Sequence, residues 1–245
     1  MKAIKTILMV ASFLLMLPFT SQAQEDESFL LNTTRFTIKF GHDANFTDGV
    51  KKWNKCYKEN NGTEAWNVWH RLQGEGNVYV LGSRMKNWAA MDDSDAAGKA
   101  CSAIAITSII PHIESSAQGM ARSMPKYSRK ASSEGTSVIW VTSFEVNNGA
   151  LFNEIVEEVT STVATKEGDK RGYWYRVMGG KGASHFVTSP YKSFADLDTD
   201  RDGVWEVYES IKGKSKTKEM REKFNTTLDD VWSYVYTLED ELSMN

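Results

Sequence analysis

The sequence predicts an α+β fold in which one strand–helix–strand–strand–helix–strand unit occurs twice. Two observations carry this. Two stretches of the chain resemble each other, and the same order of strand-like alternation and helix-like spacing surrounds both. The first stretch reads WHRLQGEGNVYVLGSRMKNWAAMD, Trp69 to Asp92, and the second WYRVMGGKGASHFVTSPYKSFADLD, Trp174 to Asp198. With one residue inserted in the glycine turn, Trp, Arg, Gly, Gly, Ser, Lys, Ala and Asp recur at paired positions, where average composition gives roughly one or two matches by chance. Leu72 with Val177, Trp88 with Phe194 and Met91 with Leu197 are apolar exchanges.

Each copy reads in the same order. In the first, RFTIKF alternates with Phe36, Ile38 and Phe40 on one face, as a strand does. NFTDGVKKWNKCY places Phe46, Val50, Trp53 and Tyr57 at helical spacing. AWNVWHRLQ, a glycine turn and NVYVLGS predict a hairpin. A long helical stretch follows from Ser94, interrupted by Pro111, and a short closing strand falls near Tyr127. In the second copy SVIWVTSFEV is a strand, and Leu151, Ile155, Val159 and Val163 mark an amphipathic helix. GYWYRVM and SHFVTS form the hairpin, a helix starts at Val204, and DVWSYVYTL closes the unit. KGKSKTKEMREK reads as a solvated helix face or loop, and Ala131 to Ser137 as the link between copies.

This element order is the ferredoxin-like unit, and two in tandem resemble the dimeric α+β barrel superfamily. The resemblance implies two tandem ferredoxin-like βαββαβ repeats forming an intrachain pseudo-dimeric α+β barrel, with antiparallel sheets and helices outside. It also allows cofactor-independent oxygenation or haem chemistry, but the sequence shows no dedicated haem ligand and no cofactor is expected. The divisions are 1–23 as a signal peptide, 24–33 as a flexible N-terminal segment, 34–133 as the first repeat and 134–245 as the second.

The first division rests on the basic start at Lys2 and Lys5, the apolar run from Ile7 to Phe19, and the small residues Ser21 and Ala23 before a cleavage point. It predicts a secreted or periplasmic protein. A net charge of −3 with 25% charged residues leaves no electrostatic footprint for nucleic acid, and no later stretch is long enough to insert in a membrane. Oligomeric state is left open.

DTDRDGVWEVYE, Asp198 to Glu209, fits the calcium-loop template with Asp198, Asp200, Asp202 and Glu209 as ligands. Its repeat partner, opening at Asp92, has no such pattern, and the shared part leads into a helix. The simpler reading is a helix start favoured by acidic residues. No other metal-ligand spacing links the histidines and cysteines.

Alternation places Trp69 and Arg71 on one face of the first hairpin, and Trp174 and Arg176 on the matching face of the second, both toward the barrel interior. A buried arginine needs an anionic partner. Asp92 and Asp198 recur with the arginines and would supply internal ion pairs; the sharper reading is a grip on an anionic aromatic ligand. His70 is expected opposite Tyr79, and Tyr175 opposite His185, as packed pairs under the helices. His112 has no evident partner, and His42 is the one histidine to test as an acid–base group.

Cys56 and Cys101 allow either a disulfide or two buried thiols. In a ferredoxin-like unit they would sit on neighbouring helices, which makes the disulfide geometrically reasonable. The functional expectation is a small, partly aromatic or anionic ligand held in the barrel. An oxidoreductase of the α+β barrel type, and a structural protein whose aromatics fill the barrel, are the alternatives.

Overall fold

A computed structural model describes residues 27–244. The expected leader, 1–23, lies outside the described residues. The strands are β1 (Leu30–Ile38), β2 (Trp66–Arg71), β3 (Asn77–Met85), β4 (Ile113–Ser123), β5 (Val138–Val146), β6 (Tyr173–Val177), β7 (His185–Tyr191) and β8 (Leu228–Leu238). They close into an antiparallel barrel in the order β1-β3-β2-β8-β5-β7-β6-β4. Helix α1 (Asp43–Glu59) lies between β1 and β2, and α4 (Gly149–Glu167) between β5 and β6. A broken helical stretch begins with α2 (Ala96–Ala100) and α3 (Ser102–Ile104) and runs through Ala105–Ile109 and Ile110–His112. Helices α5 (Val204–Lys212) and α6 (Lys214–Thr226) occupy the corresponding place before β8.

Every pairing is antiparallel, so β1, β2, β5 and β6 run one way and β3, β4, β7 and β8 the other. One end of the barrel therefore gathers the starts of β1 and β5, and the opposite end carries the two hairpin loops. Phe36 and Ile38 pack on Phe46 of α1, together with Tyr57, Trp66, Val68 and Tyr79. In the other half Phe144, Phe152, Val156 and Trp174 form the matching layer under α4. Inside the barrel, β4 presents Ser115, Ala117, Gly119, Ala121 and Ser123. Strand β8, opposite it in the strand order, presents Trp232, Tyr234, Tyr236 and Leu238.

The sequence expectations need two corrections here. Strand β1 starts at Leu30, which is fully buried, so the end of the expected flexible segment is strand. The strand closing the first unit is Ile113–Ser123, and Pro125–Tyr127 is a single 3-10 turn. Small and polar residues fill β4, and with few side chains to bury it carries no apolar alternation.

The helical stretch after Ala105 is π-helical and passes close to α1. A Cβ on Gly49 would stand 1.9 Å from the Ser108 carbonyl oxygen, so only glycine permits this approach. Cys101, fully buried, is joined to Cys56 of α1 by a disulfide, with Cα atoms 5.9 Å apart. The chain's last residues return to the first layer. Asn54 and the Trp66 indole donate to the Leu242 carbonyl at 2.9 and 3.2 Å, and Leu242 and Met244 are buried there.

Candidate ligand cleft

The four predicted ligand residues do not converge. His70 pairs with Tyr79 in the first hairpin, and Arg176 with His185 in the second, at the same separation, so the hairpins align with no insertion. Trp69 then corresponds to Tyr175, and the assumed inserted residue had turned β6 over. A shift of one residue reverses every side chain of a strand. Trp174 is buried between Phe144 and Phe152, stacked on the first at 5.6 Å between centroids. Arg176 stands exposed on the same outer face.

Trp69 and Arg71 do lie on the inner face. Arg71 is at the hairpin end, where Nη2 donates to the Glu75 and Gly76 carbonyls and the guanidinium lies 4.7 Å from the Tyr234 ring. Neither arginine is paired with Asp92 or Asp198 among the described ion pairs.

The histidines are accounted for by packing. His70 stacks on Tyr79 at 4.3 Å and donates to Asn77 Oδ1 at 2.7 Å. Tyr175 faces Phe186 rather than His185 and stacks on it at 4.7 Å. His42 meets His112 through their Nδ1 atoms at 2.9 Å, so His112 has a partner after all. His185 lies under Phe152, with ring centroids 4.9 Å apart. Burial, with the Arg176 charge adding to it, lowers the pKa of His185 to about 4.

This donor set does not fit haem. Two histidines are spent on each other, one on Tyr79 and Asn77, and the fourth sits in a layer filled by Phe144, Phe152, Trp174 and Phe224. Both cysteines are in the disulfide.

The calcium-template segment is a helix start. Gly203 has φ −61° and ψ 159°, extended rather than sharply turned, and α5 begins at the next residue. Glu206 accepts from the Gly203 N–H at 2.6 Å. Asp202 pairs with Lys166 at 3.3 Å. Among the described residues, Asp198, Asp200, Asp202 and Glu209 do not gather into a metal-holding group.

Concave space is found at the barrel end where β1 and β5 start. A cleft of about 350 Å³ is lined by Phe29, Arg84, Arg129, Lys130, Tyr173 and Tyr175, among others. Arg84 lies 4.7 Å over the Phe29 ring, and Arg129 lies 5.9 Å over Tyr173. No ion pair engages Arg84, Arg129 or Lys130 among the described residues, and the buried Arg129 Nε has no hydrogen-bond partner. Glu27 is the one carboxylate in the lining.

The segment carrying these cations is fixed. Arg129 N–H donates to the Gly172 carbonyl at 2.9 Å. The Lys130 and Ala131 N–H groups donate to the Asp169 carboxylate, and Tyr173 Oη donates to the Ala131 carbonyl at 2.6 Å. Burial opposes ionisation of Asp169, but the backbone donors and the Arg129 charge prevail and hold its carboxyl below the ordinary range.

The sequence reading singles out neither Arg129 nor Lys130, which lie just before the expected link at Ala131 to Ser137, and the register error turns Tyr173 and Tyr175 outward. The signal was present in the adjacent cations and in the Tyr-x-Tyr alternation.

No protein-family model matches the chain, and no curated protein matches it. Solved structures do. A candidate monooxygenase from Lactobacillus acidophilus NCFM superposes with a TM-score of 0.53 at 10% identity, covering 89% of this chain and 99% of that one. A chlorite dismutase mutant from Candidatus Nitrospira defluvii, in complex with cyanide, gives 0.50 at 10% identity, covering 88% and 92%. These structures share the α+β fold of this chain, an eight-stranded closed antiparallel barrel with helices. At such identity the likeness concerns the fold alone. Among the described residues no helix is long and apolar enough to cross a membrane.

Proposed function

We propose that this protein is an exported binding protein which takes a small anionic ligand with an aromatic ring in the Arg84–Arg129–Tyr173 cleft. The observation that carries this reading is three cations that make no ion pair among the described residues, beside two tyrosine rings and Phe29. Guanidinium groups pair with carboxylate or sulfonate oxygens through parallel N–H donors and also stack on flat rings. The volume is at the small end of ligand pockets. Export is supported by the leader-like start of the sequence and by the disulfide, which suits an oxidising compartment. Tandem duplication of a ferredoxin-like unit is supported by the twice-repeated element order and by the matching hairpin registers.

The test is a fluorescence titration with naphthalene-1-sulfonate, against the neutral naphthalene-1-methanol. The sulfonate is expected to bind and the alcohol not to. Arg129→Gln and Arg84→Gln should each weaken sulfonate binding roughly tenfold, the worth of one charge-assisted hydrogen bond. Equal binding of both probes, or indifference to both substitutions, would overturn the proposal.

A further inference from the structure

A second cleft of about 310 Å³ adjoins the first at the same barrel end, and Arg129 and Ser132 line both. Its other lining includes Tyr191, Lys192 and Arg201. The two clefts repeat one arrangement. Arg129 lies over Tyr173 at 5.9 Å in the first, and Arg201 lies over Tyr191 at 6.0 Å in the second. No ion pair engages Lys192 or Arg201 among the described residues. Two carboxylates, Glu134 and Asp196, line this part, and Asp196 already accepts from the Lys192 N–H at 2.7 Å.

We infer that the two clefts form one groove for an elongated ligand carrying at least two anionic groups on a body of rings whose faces can lie on tyrosine. This rests on the reading of the first cleft given above. Arg129 is the shared centre. Its buried Nε has no hydrogen-bond partner, and an N–H left unpaired in this way is costly. An anion in either cleft meets the Arg129 charge. The ridge between the clefts is anchored at both ends: Asp169 holds Lys130 and Ala131, and Ser137 N–H donates to the Tyr191 carbonyl at 3.1 Å. The groove therefore persists without a ligand, and a second anionic group adds affinity with little ordering cost.

Two ligand sources share this chemistry, a dianionic biaryl and an acidic sugar chain, and paired probes separate them. Biphenyl-4,4′-disulfonate is compared with biphenyl-4-sulfonate, and trigalacturonate with galacturonate, by calorimetry on the whole protein. In at least one pair the polyanion should bind about tenfold tighter than its monoanion. Arg201→Gln should remove that gain, bringing the polyanion down to the affinity of its monoanion. The pair that shows the gain names the source. If polyanion and monoanion bind alike in both pairs, while Arg84→Gln still weakens them, the groove is refuted and the single cleft stands. If no anion binds, both readings fall.

Discussion

His185 couples packing to pH most directly. Its ring is 5% exposed, packed on Phe152, and Nε2 has no hydrogen-bond partner among the described residues. Burial and the Arg176 charge put its pKa at about 4, against 6.5 for an ordinary histidine. The folded state thus takes up this proton less readily than the unfolded chain. Stability from this site is fully present above pH 6.5 and is lost as pH falls toward 4, amounting to roughly 3 kcal/mol. His185→Leu should flatten the fall in melting temperature between pH 7.5 and 4.5; an unchanged slope would remove His185 from the account. Arg71 illustrates the opposite case. Its guanidinium is held by turn carbonyls and the Tyr234 ring, not by a carboxylate. Arg71→Met should therefore cost about 1–2 kcal/mol, the worth of a cation–π contact and a hydrogen bond, rather than the roughly 3–5 kcal/mol of a broken buried ion pair. Naphthalene-1-sulfonate binding should be unaffected, and chemical denaturation of the variant measures the cost.

At the scale of elements, what the sequence showed and what it hid follow from what each element buries. Phe46 and Tyr57 announce their helix because they lie on a face pressed against a sheet, and Val159 announces α4 because it packs on Tyr208 and Met220 of α5 and α6. The hairpins were legible for the same reason. Strand β4 was hidden because it buries little, with Ser115, Ser116, Ala117 and Gln118 all exposed. The β6 side of the cleft was hidden by one misplaced residue, since register decides which face of β6 lines it and chain similarity does not fix it to one residue. The C-terminal tail shows no periodicity at all, yet it closes the α1 layer: Leu242 is 1% exposed and its carbonyl takes two donors from the first half. Leu242→Ala should cost about 3 kcal/mol, as buried leucine truncations do. A loss below about 1 kcal/mol in a denaturation curve would show that the tail only rests on the surface.

The whole molecule is joined by short seams and shared interiors. Where the halves meet, β2 pairs with β8 from Trp69 to Arg71, and β4 pairs with β6 from Ala121 to Ser123. Within each half the ladders run the length of the strands. The seams alone would leave two weakly tethered sheets. Two further features bind them. The inner side of β8 carries Trp232, Tyr234 and Tyr236, all partly buried, and faces across the barrel the small residues of β4. The tail that follows β8 packs beneath α1 of the first half. The two halves should therefore unfold as one unit. The disulfide offers a way to test this, because it lies wholly in the first half and closes a loop of 45 residues, worth about 4 kcal/mol by the chain-entropy argument. Replacing both cysteines by alanine should lower the melting temperature of the second half as much as that of the first. Hydrogen exchange of β6 and β7 amides, followed alongside those of β1 and β3, reads the two halves separately. If the β6–β7 amides keep their protection while those of β1 and β3 lose it, the halves are independent and the barrel interior does not couple them.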